Sequence, residues 1–319
     1  MSEAAGRISG PFAMRMDEIP ALNTIFSEVF SERYRRDGMA GVRVPPLNPA
    51  IWRFAIEGAG DGAMLWRDTS GAVAAFNLAH VSGREGWMGP LAVREDLQGR
   101  GLGREIVTAG LDRLKRAGCT TIGLETMPRT MDNIGFYAAL GFLPTRLTIT
   151  LTVEGMAGAP PELLGQAGSG ERAALMEELS ALTAAARAGV DHSREIAITL
   201  RHGIGDVVLL RDAAGAVRGF ALYHDVPLVE GRSREEMRVL KLVVRDESDL
   251  TPLLALLRAQ TRRSGALRAA VRMQGEYGAA FRAMVAHGGR VRWTDLRMTL
   301  SGYEEAPTSC GIALSNWEI

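Results

Sequence analysis

One stretch of this chain occurs twice, and that repeat limits what the chain can fold into. Met64–His80 (MLWRDTSGAVAAFNLAH) and Val208–His224 (VLLRDAAGAVRGFALYH) are identical at nine of seventeen positions. The shared residues are a Leu in the first strand, the Arg-Asp before a turn, the Gly-Ala-Val after it, and a Phe, a Leu and a His in the strand that follows. Asp-Thr-Ser-Gly between two apolar runs is a hairpin signal. The elements on either side also recur in the same order, so the economical reading is two copies of one unit. The length of 319 residues suits two domains at roughly 100–200 residues each.

The first copy reads as a strand at 12–16 and then a helix that Asp17 caps, with Pro20 in its first turn and Ile25 and Val29 on its apolar stripe. A short helix at 47–57 and strands at 63–67, 72–81 and 87–93 follow. A helix at 100–117 closes at Gly118, a strand covers 120–127, a helix at 132–140 closes at Gly141, and a strand covers 147–153. The segment 155–170 (GMAGAPPELLGQAGSG) reads as a linker or loose crossover. Beyond it come helices at 171–187 and 193–201, strands at 207–211, 216–224 and 237–244, a helix at 250–263, a strand at 267–273, a helix at 277–287 and a strand at 290–300. The expected domains are 11–154 and 171–319, and the small, polar first ten residues are expected to be disordered.

Composition excludes several classes. Hydrophobic residues make up 46% and charged residues 23%, as in a water-soluble globular protein. Lys+Arg and Asp+Glu are both 37, so the basic excess of a nucleic-acid binder is missing. Cys119 and Cys310 make neither a disulfide framework nor a metal-ligand spacing, and the five histidines form no H-x-x-x-H pair. The expectation is a reducing, cytoplasmic setting with no metal. No signal-peptide pattern and no run of 18 apolar residues is present, so neither export nor a membrane partner is expected.

The chemistry lies in residues 89–142. A strand, GPLAV, runs through Arg94-Glu95-Asp96-Leu97 into Gln98-Gly99-Arg100-Gly101-Leu102-Gly103-Arg104, where a helix opens. Glycines at a helix mouth leave backbone N–H groups bare, and the positive end of the helix dipole adds to them, which suits a pyrophosphate. Arg100 and Arg104 add positive charge. The run lacks the spacing and the Lys-Ser/Thr of a P-loop. It also lacks the Gly-x-Gly-x-x-Gly and later acidic residue of a dinucleotide site.

This segment resembles the GNAT superfamily of N-acetyltransferases, whose Gln/Arg-x-x-Gly-x-Gly/Ala signature is filled by Gln98, Gly101 and Gly103. A second block, strand GLETM followed by Ile134-Gly135-Phe136-Tyr137-Ala138-Ala139-Leu140-Gly141-Phe142, is similar to the family's Tyr-x-x-x-Gly-Phe and lies about 40 residues on. The resemblance covers about residues 12–153. It implies an α+β fold of two tandem GNAT-like domains, each a mostly antiparallel twisted sheet flanked by helices. It also implies acetyl-CoA as donor, with the pyrophosphate on residues 98–104 and the pantetheine arm along Leu91, Ala92 and Val93. A backbone N–H of that strand is the implied donor to the oxyanion. Phe136 and Asn133 complete the implied cofactor set. One departure concerns the Asn often found seven residues before the tyrosine. Thr130 stands there, and Asn133 lies only four before Tyr137.

For catalysis Tyr137 is the candidate acid, since a phenol with pKa near 10 can protonate a leaving thiolate. The incoming amine must lose a proton. Candidate bases are Glu125, a carboxylate in an otherwise apolar strand, then His80 and Asp132. His80 recurs as His224, which fits a shared structural role equally well. In the second copy, aligning LAVRE (91–95) with LVVRD (242–246) places Asp249-Leu250-Thr251-Pro252-Leu253-Leu254 over the glycine loop, and Phe281-Arg282 over Phe136-Tyr137. That copy is expected to keep the fold and lose the cofactor, and to pack against the first copy and shape its acceptor pocket. The expected reaction is transfer of an acetyl group to a primary amine of a small molecule or a protein. A tandem acetyltransferase of the mycothiol-synthase kind and a non-catalytic acyl-CoA sensor are the alternatives. Neither the acceptor nor the oligomeric state is written in the sequence.

Overall fold

The computed structural model of the chain describes residues 8–316. The first half runs β1 (Ser9–Ala13), α1 (Ile19–Arg36), α2 (Pro49–Ala59), β2 (Ala63–Arg67), β3 (Val73–Ser82), β4 (Glu85–Val93), α3 (Leu102–Arg116), β5 (Thr121–Thr126), α4 (Met131–Ala138) and β6 (Phe142–Glu154). The second runs β7 (Glu162–Leu163), α5 (Ser169–Ala186), α6 (Ser193–His202), β8 (Gly205–Arg211), β9 (Val217–His224), β10 (Glu236–Val244), α7 (Leu250–Arg263), β11 (Arg268–Gln274), α8 (Gly278–Ala286), β12 (Arg290–Leu300) and β13 (Ile312–Ser315). Among the described residues this is a mixed α+β fold with eight helices, in which only β4–β5 and β10–β11 pair in parallel.

The repeated residues build the same turn twice. Asp68 Oδ1 accepts from the Ala72 N–H at 3.2 Å and Arg67 donates to the Gly71 carbonyl at 2.8 Å. Asp212 Oδ1 accepts from Ala216 at 3.0 Å and Arg211 donates to Gly215 at 2.8 Å. Gly71 and Gly215 sit at φ +85° and +86°, where a side chain would be strained. The Arg-Asp-x-x-Gly identity is therefore turn chemistry.

The two units share one sheet. Its strand order is β1-β2-β3-β4-β5-β12-β6-β11-β10-β9-β8-β7. The final long strand of each half has crossed over: β12 pairs with β5 (Leu296↔Thr126 to Thr299↔Gly123) and β6 with β11 (Arg268↔Glu154 to Gln274↔Thr148). β6 and β12 then pair with each other along almost their whole length, from Arg290↔Thr152 to Leu300↔Phe142. Period-2 patterning shows that a segment is a strand but not which edge it joins. The sequence could therefore announce two sheets and leave their fusion hidden.

Helices cover both faces. α3 buries Leu102, Ile106, Val107, Leu111 and Leu114 on one face of the first half, and α1 and α2 bury Leu22, Ile25, Trp52 and Ala55 on the other. In the second half α7 and α8 (Leu250, Leu253, Leu254, Leu257, Met284) oppose α5 and α6 (Leu175, Leu179, Leu182, Ile196). Some boundaries differ from expectation. α1 begins after Glu18, with no side chain capping it, while Asp17 pairs with Arg15 at 2.8 Å, and Ser9 and Gly10 already belong to β1. The segment 155–170 runs along the second unit, with Leu164 fully buried and Gly155 N–H bonded to Leu267 at 2.9 Å.

Because β5 takes its outer partner from residues 290–300, a fragment ending at residue 155 is expected to be insoluble or unable to bind the acyl-CoA that the resemblance implies. Expression followed by calorimetry checks this, and a fragment that binds like the full chain would show that the exchange is dispensable.

Candidate active site

β4 and β5 run side by side only from Glu85↔Thr121 to Met88↔Leu124. Past that point they diverge, while β4 stays paired to β3 through Ala75↔Val93. The edge of Gly89–Val93 that faces the splay is left without a strand. A cavity of about 590 Å³ opens there, and both diverging strands line it, Gly89–Val93 on one side and Leu124–Met127 on the other.

Of the sequence candidates, Leu91, Ala92, Val93, Gln98, Gly103, Glu125, Asn133, Phe136 and Tyr137 all line this cavity. Gln98 folds back and donates to the Val93 carbonyl at 2.9 Å, which ties the loop to the strand end. Gly99 and Gly101 stand at φ +75° and +87°, and a Cβ on either would meet no heavy atom within 4 Å. The helix mouth is thus bare backbone facing open space, as an anion site requires. Gly103 is different: a Cβ there would lie 3.4 Å from the Phe136 ring. Arg100 and Arg104 are exposed and outside the cavity lining, and Leu102 is a core residue of α3. Thr130 is fully buried and donates to Asp37 at 2.7 Å, so of that pair only Asn133 faces the cavity.

Tyr137 is 7% exposed, packed against Phe136 and Phe142 with ring centroids 5.2 and 6.0 Å away. Burial pushes its phenol up to about 12, so it carries its proton throughout the neutral range and can act only as a donor.

Glu125 lies in a tight ionic cluster. Its carboxylate accepts from Arg272 of β11 at 2.5 Å, Arg297 of β12 at 2.8 Å and the Thr148 hydroxyl of β6 at 2.5 Å. Burial by itself would raise the carboxyl, but Arg272, Arg297 and Thr148 outweigh it and hold it at about 2. Arg297 is fully buried, lies 3.7 Å from the Trp87 ring centroid and also binds Glu305 at 2.8 Å. A carboxylate so committed suits the joining of strands better than the taking of a proton at neutral pH. His80 lies outside the cavity lining, with Nε2 donating to the Gly89 carbonyl at 3.1 Å. Burial lowers its pKa to about 4, so it is neutral and steadies the start of the splay. Its counterpart His224 is buried too, but bonds Thr199 at 2.9 Å. Asp132 is exposed on α4 beside Arg33.

Several lining residues escaped the sequence reading. Phe26, Val29, Phe30 and Tyr34 form one face of α1, and Leu228, Val229, Glu236, Arg238, Arg272, Trp293, Asp295 and Asn316 come from the second half. Arg272 and Arg297 carried a signal, since each is a charge inside an apolar strand, the criterion that singled out Glu125.

The second half has the same splay, but it is filled. β10 and β11 pair only over Glu236–Val239, and from Lys241 to Val244 β10 is paired with β13 (Ser315 to Ile312). Where the first half leaves an open slot, the chain's own buried β13 lies in the second. No group of three or more His, Cys, Asp or Glu able to hold a metal occurs among the described residues. Among them, too, no helix is long and apolar enough to cross a membrane.

Residues 24–142 match the model of the acetyltransferase (GNAT) family. Solved structures share the fold across nearly the whole chain. A putative acetyltransferase from Pyrococcus horikoshii superposes with a TM-score of 0.66 at 14% identity, over 97% of this chain and 92% of that one. A tandem GNAT protein from the clavulanic acid biosynthesis pathway gives 0.59 at 14%, over 92% and 98%. Saccharomyces cerevisiae N-myristoyltransferase with bound myristoyl-CoA gives 0.65 at 9%, over 96% and 85%. No curated protein matches by sequence.

Two outcomes are expected. Gly101→Val should abolish acyl-CoA binding, because a β-branched residue is strained at φ +87° and would crowd the phosphate space, whereas calorimetry on the parent should give one site per chain. Glu125→Gln should cost about 3–5 kcal/mol of stability by stranding buried arginines, read by denaturant unfolding. A variant as stable as the parent would leave the carboxylate available as a base.

Proposed function

We propose that the chain is an acyl-CoA-dependent N-acyltransferase that uses acetyl-CoA and transfers the acetyl group to a primary amine by direct attack. The observation that carries this reading is the convergence of the splayed β4 edge, the glycine-opened mouth of α3 and the buried Tyr137 phenol on one cavity of about 590 Å³. Acetyl-CoA supplies the activated thioester. Residues 98–103 present N–H groups to its pyrophosphate, the edge of Leu91–Val93 pairs with its pantetheine amides, and Phe136 and Asn133 flank the arm. Tyr137 gives its proton to the departing sulfur. Glu125 at about 2 and His80 at about 4 are both poor proton acceptors near neutrality, so the ammonium loses its first proton to solvent, the neutral amine attacks the thioester, and the second proton on its nitrogen passes to the Tyr137 phenolate once the sulfur has left with the phenol's proton.

The acceptor enters from the far end of the cavity, between α1 of the first half and β10–β12 of the second. The second unit therefore serves as a wall of the acceptor site. Its own slot is closed by β13 and its glycine loop is replaced, which disfavours the mycothiol-synthase-like reading.

The test is CoA release over a panel of amines with the full chain. Tyr137→Phe should lower kcat by about 10²–10⁴-fold with acetyl-CoA affinity little changed. An unaltered kcat would reduce Tyr137 to packing.

A further inference from the structure

The hairpin joining β9 to β10 is longer than its counterpart between β3 and β4. His80 pairs across its hairpin with Trp87, and His224 pairs with Arg238. The offset between copies grows from 144 at the histidines to 151 at the next strand, an insertion of seven residues. That longer loop, residues 225–235, leaves its own half and reaches the first. The Asn48 N–H donates to the Leu228 carbonyl at 2.8 Å, and Asn48 Nδ2 donates to the Pro227 carbonyl at 3.2 Å. Asn48 also caps α2, so the loop is fixed to the helix layer over the first site.

There it supplies Leu228 and Val229 to the cavity, which Phe26, Val29, Phe30 and Leu47 also line. These residues are apolar, and the charges that α1 also brings to the lining are paired, Glu32 with Arg36 at 2.8 Å and Arg33 with Asp37 at 2.5 Å. The cavity is long, for its lining draws on β4, β5, β12, β6, β11 and β10, six neighbours in the sheet. Five strand spacings of about 4.8 Å give roughly 24 Å; the pantetheine arm takes the β4–β5 end, and the stretch over β12, β6, β11 and β10 is longer than a small amine fills. On the floor every carboxylate already has an arginine: Glu125 has Arg272 and Arg297, Asp295 has Arg272 at 2.9 Å, and Glu236 has Arg268 at 3.1 Å. No acidic group is left over for a second cationic centre on the acceptor, which counts against polyamines.

Resting on the N-acyltransferase reading, we infer that loop 225–235 is the specificity element of the acceptor site and that the acceptor is a primary amine with an extended apolar body. The amine reaches the thioester at the β4–β5 splay while the body lies under α1 and the inserted loop.

A series of n-alkylamines from ethyl to octyl, with acetyl-CoA and the full chain, tests this. At about 0.8 kcal/mol per buried methylene, kcat/KM should rise roughly fourfold per carbon. Leu228→Asp should cut that slope by half or more. Leu228 is 40% exposed on a loop, and acetyl-CoA binding checks that the variant is folded. A flat series, or a preference for spermidine or an amino sugar, overturns the inference and leaves the acyltransferase reading standing. A rate that climbs with the acyl length of the donor and not with the amine assigns the chamber to the donor and also overturns it. If octylamine binds the CoA-loaded protein in calorimetry, more weakly to Leu228→Asp, yet no amine is acylated, the apolar amine site stands and the acyltransferase reading falls.

Discussion

Four strands meet at the Glu125 carboxylate. It stands on β5, is gripped by guanidiniums from β11 and β12, and receives a hydroxyl from β6. Two of those strands have crossed from one half of the molecule to the other, so this cluster is the joint between the units as well as the floor of the site. Buried ions are costly to bring out of water, and the attraction offsets that cost only where the geometry is good and the remaining lone pairs are satisfied. Here one carboxylate meets two arginines, Arg297 stacks on Trp87, and Glu305 takes the other side of its guanidinium. Such a cluster tolerates little displacement and so fixes the register in which β6 and β12 meet.

From that joint the two halves diverge in use. The same splay of parallel strands appears twice, because the same element order on a twisted sheet produces it twice. In one copy the glycine run leaves a helix mouth bare and the strand edge open. In the other, Asp249 stands at the start of α7 and pairs with Arg218, leucines fill the first turn and β13 completes the edge. A strand edge left open inside a protein must be satisfied by something. The second half meets that need with its own chain, and the first leaves it to a ligand.

The sequence was informative where local chemistry decides the outcome. Asp68, Gly71, Asp212 and Gly215 build hairpins that any chain with those residues would build, and Gly99 and Gly101 adopt the left-handed backbone that glycine invites. Tyr137 lies beside the glycine helix because the two motifs are fixed by adjacent elements. What stayed hidden depends on long-range pairing. Nothing local in β6 or β12 says that they change sides, and β13 is four residues in a stretch rich in turn formers. Glu125 shows how a sound criterion can mislead. A carboxylate in an apolar strand does need a reason, but the reason lies in two arginines almost 150 and more than 170 residues away along the chain.

The crossed strands also bear on the order in which the molecule can be made. Chains emerge from the ribosome from the N-terminus, and early domains ordinarily close while later ones are still being built. Here β5 has no outer neighbour until residues 290–300 exist, and β6 has none on either side until β11 and β12 follow. For most of its synthesis the first half carries bare strand edges, the kind of surface that recruits other chains. A nascent chain of this design depends on protection until its final strands arrive, and its two halves, once fused in this way, can no longer be inherited separately.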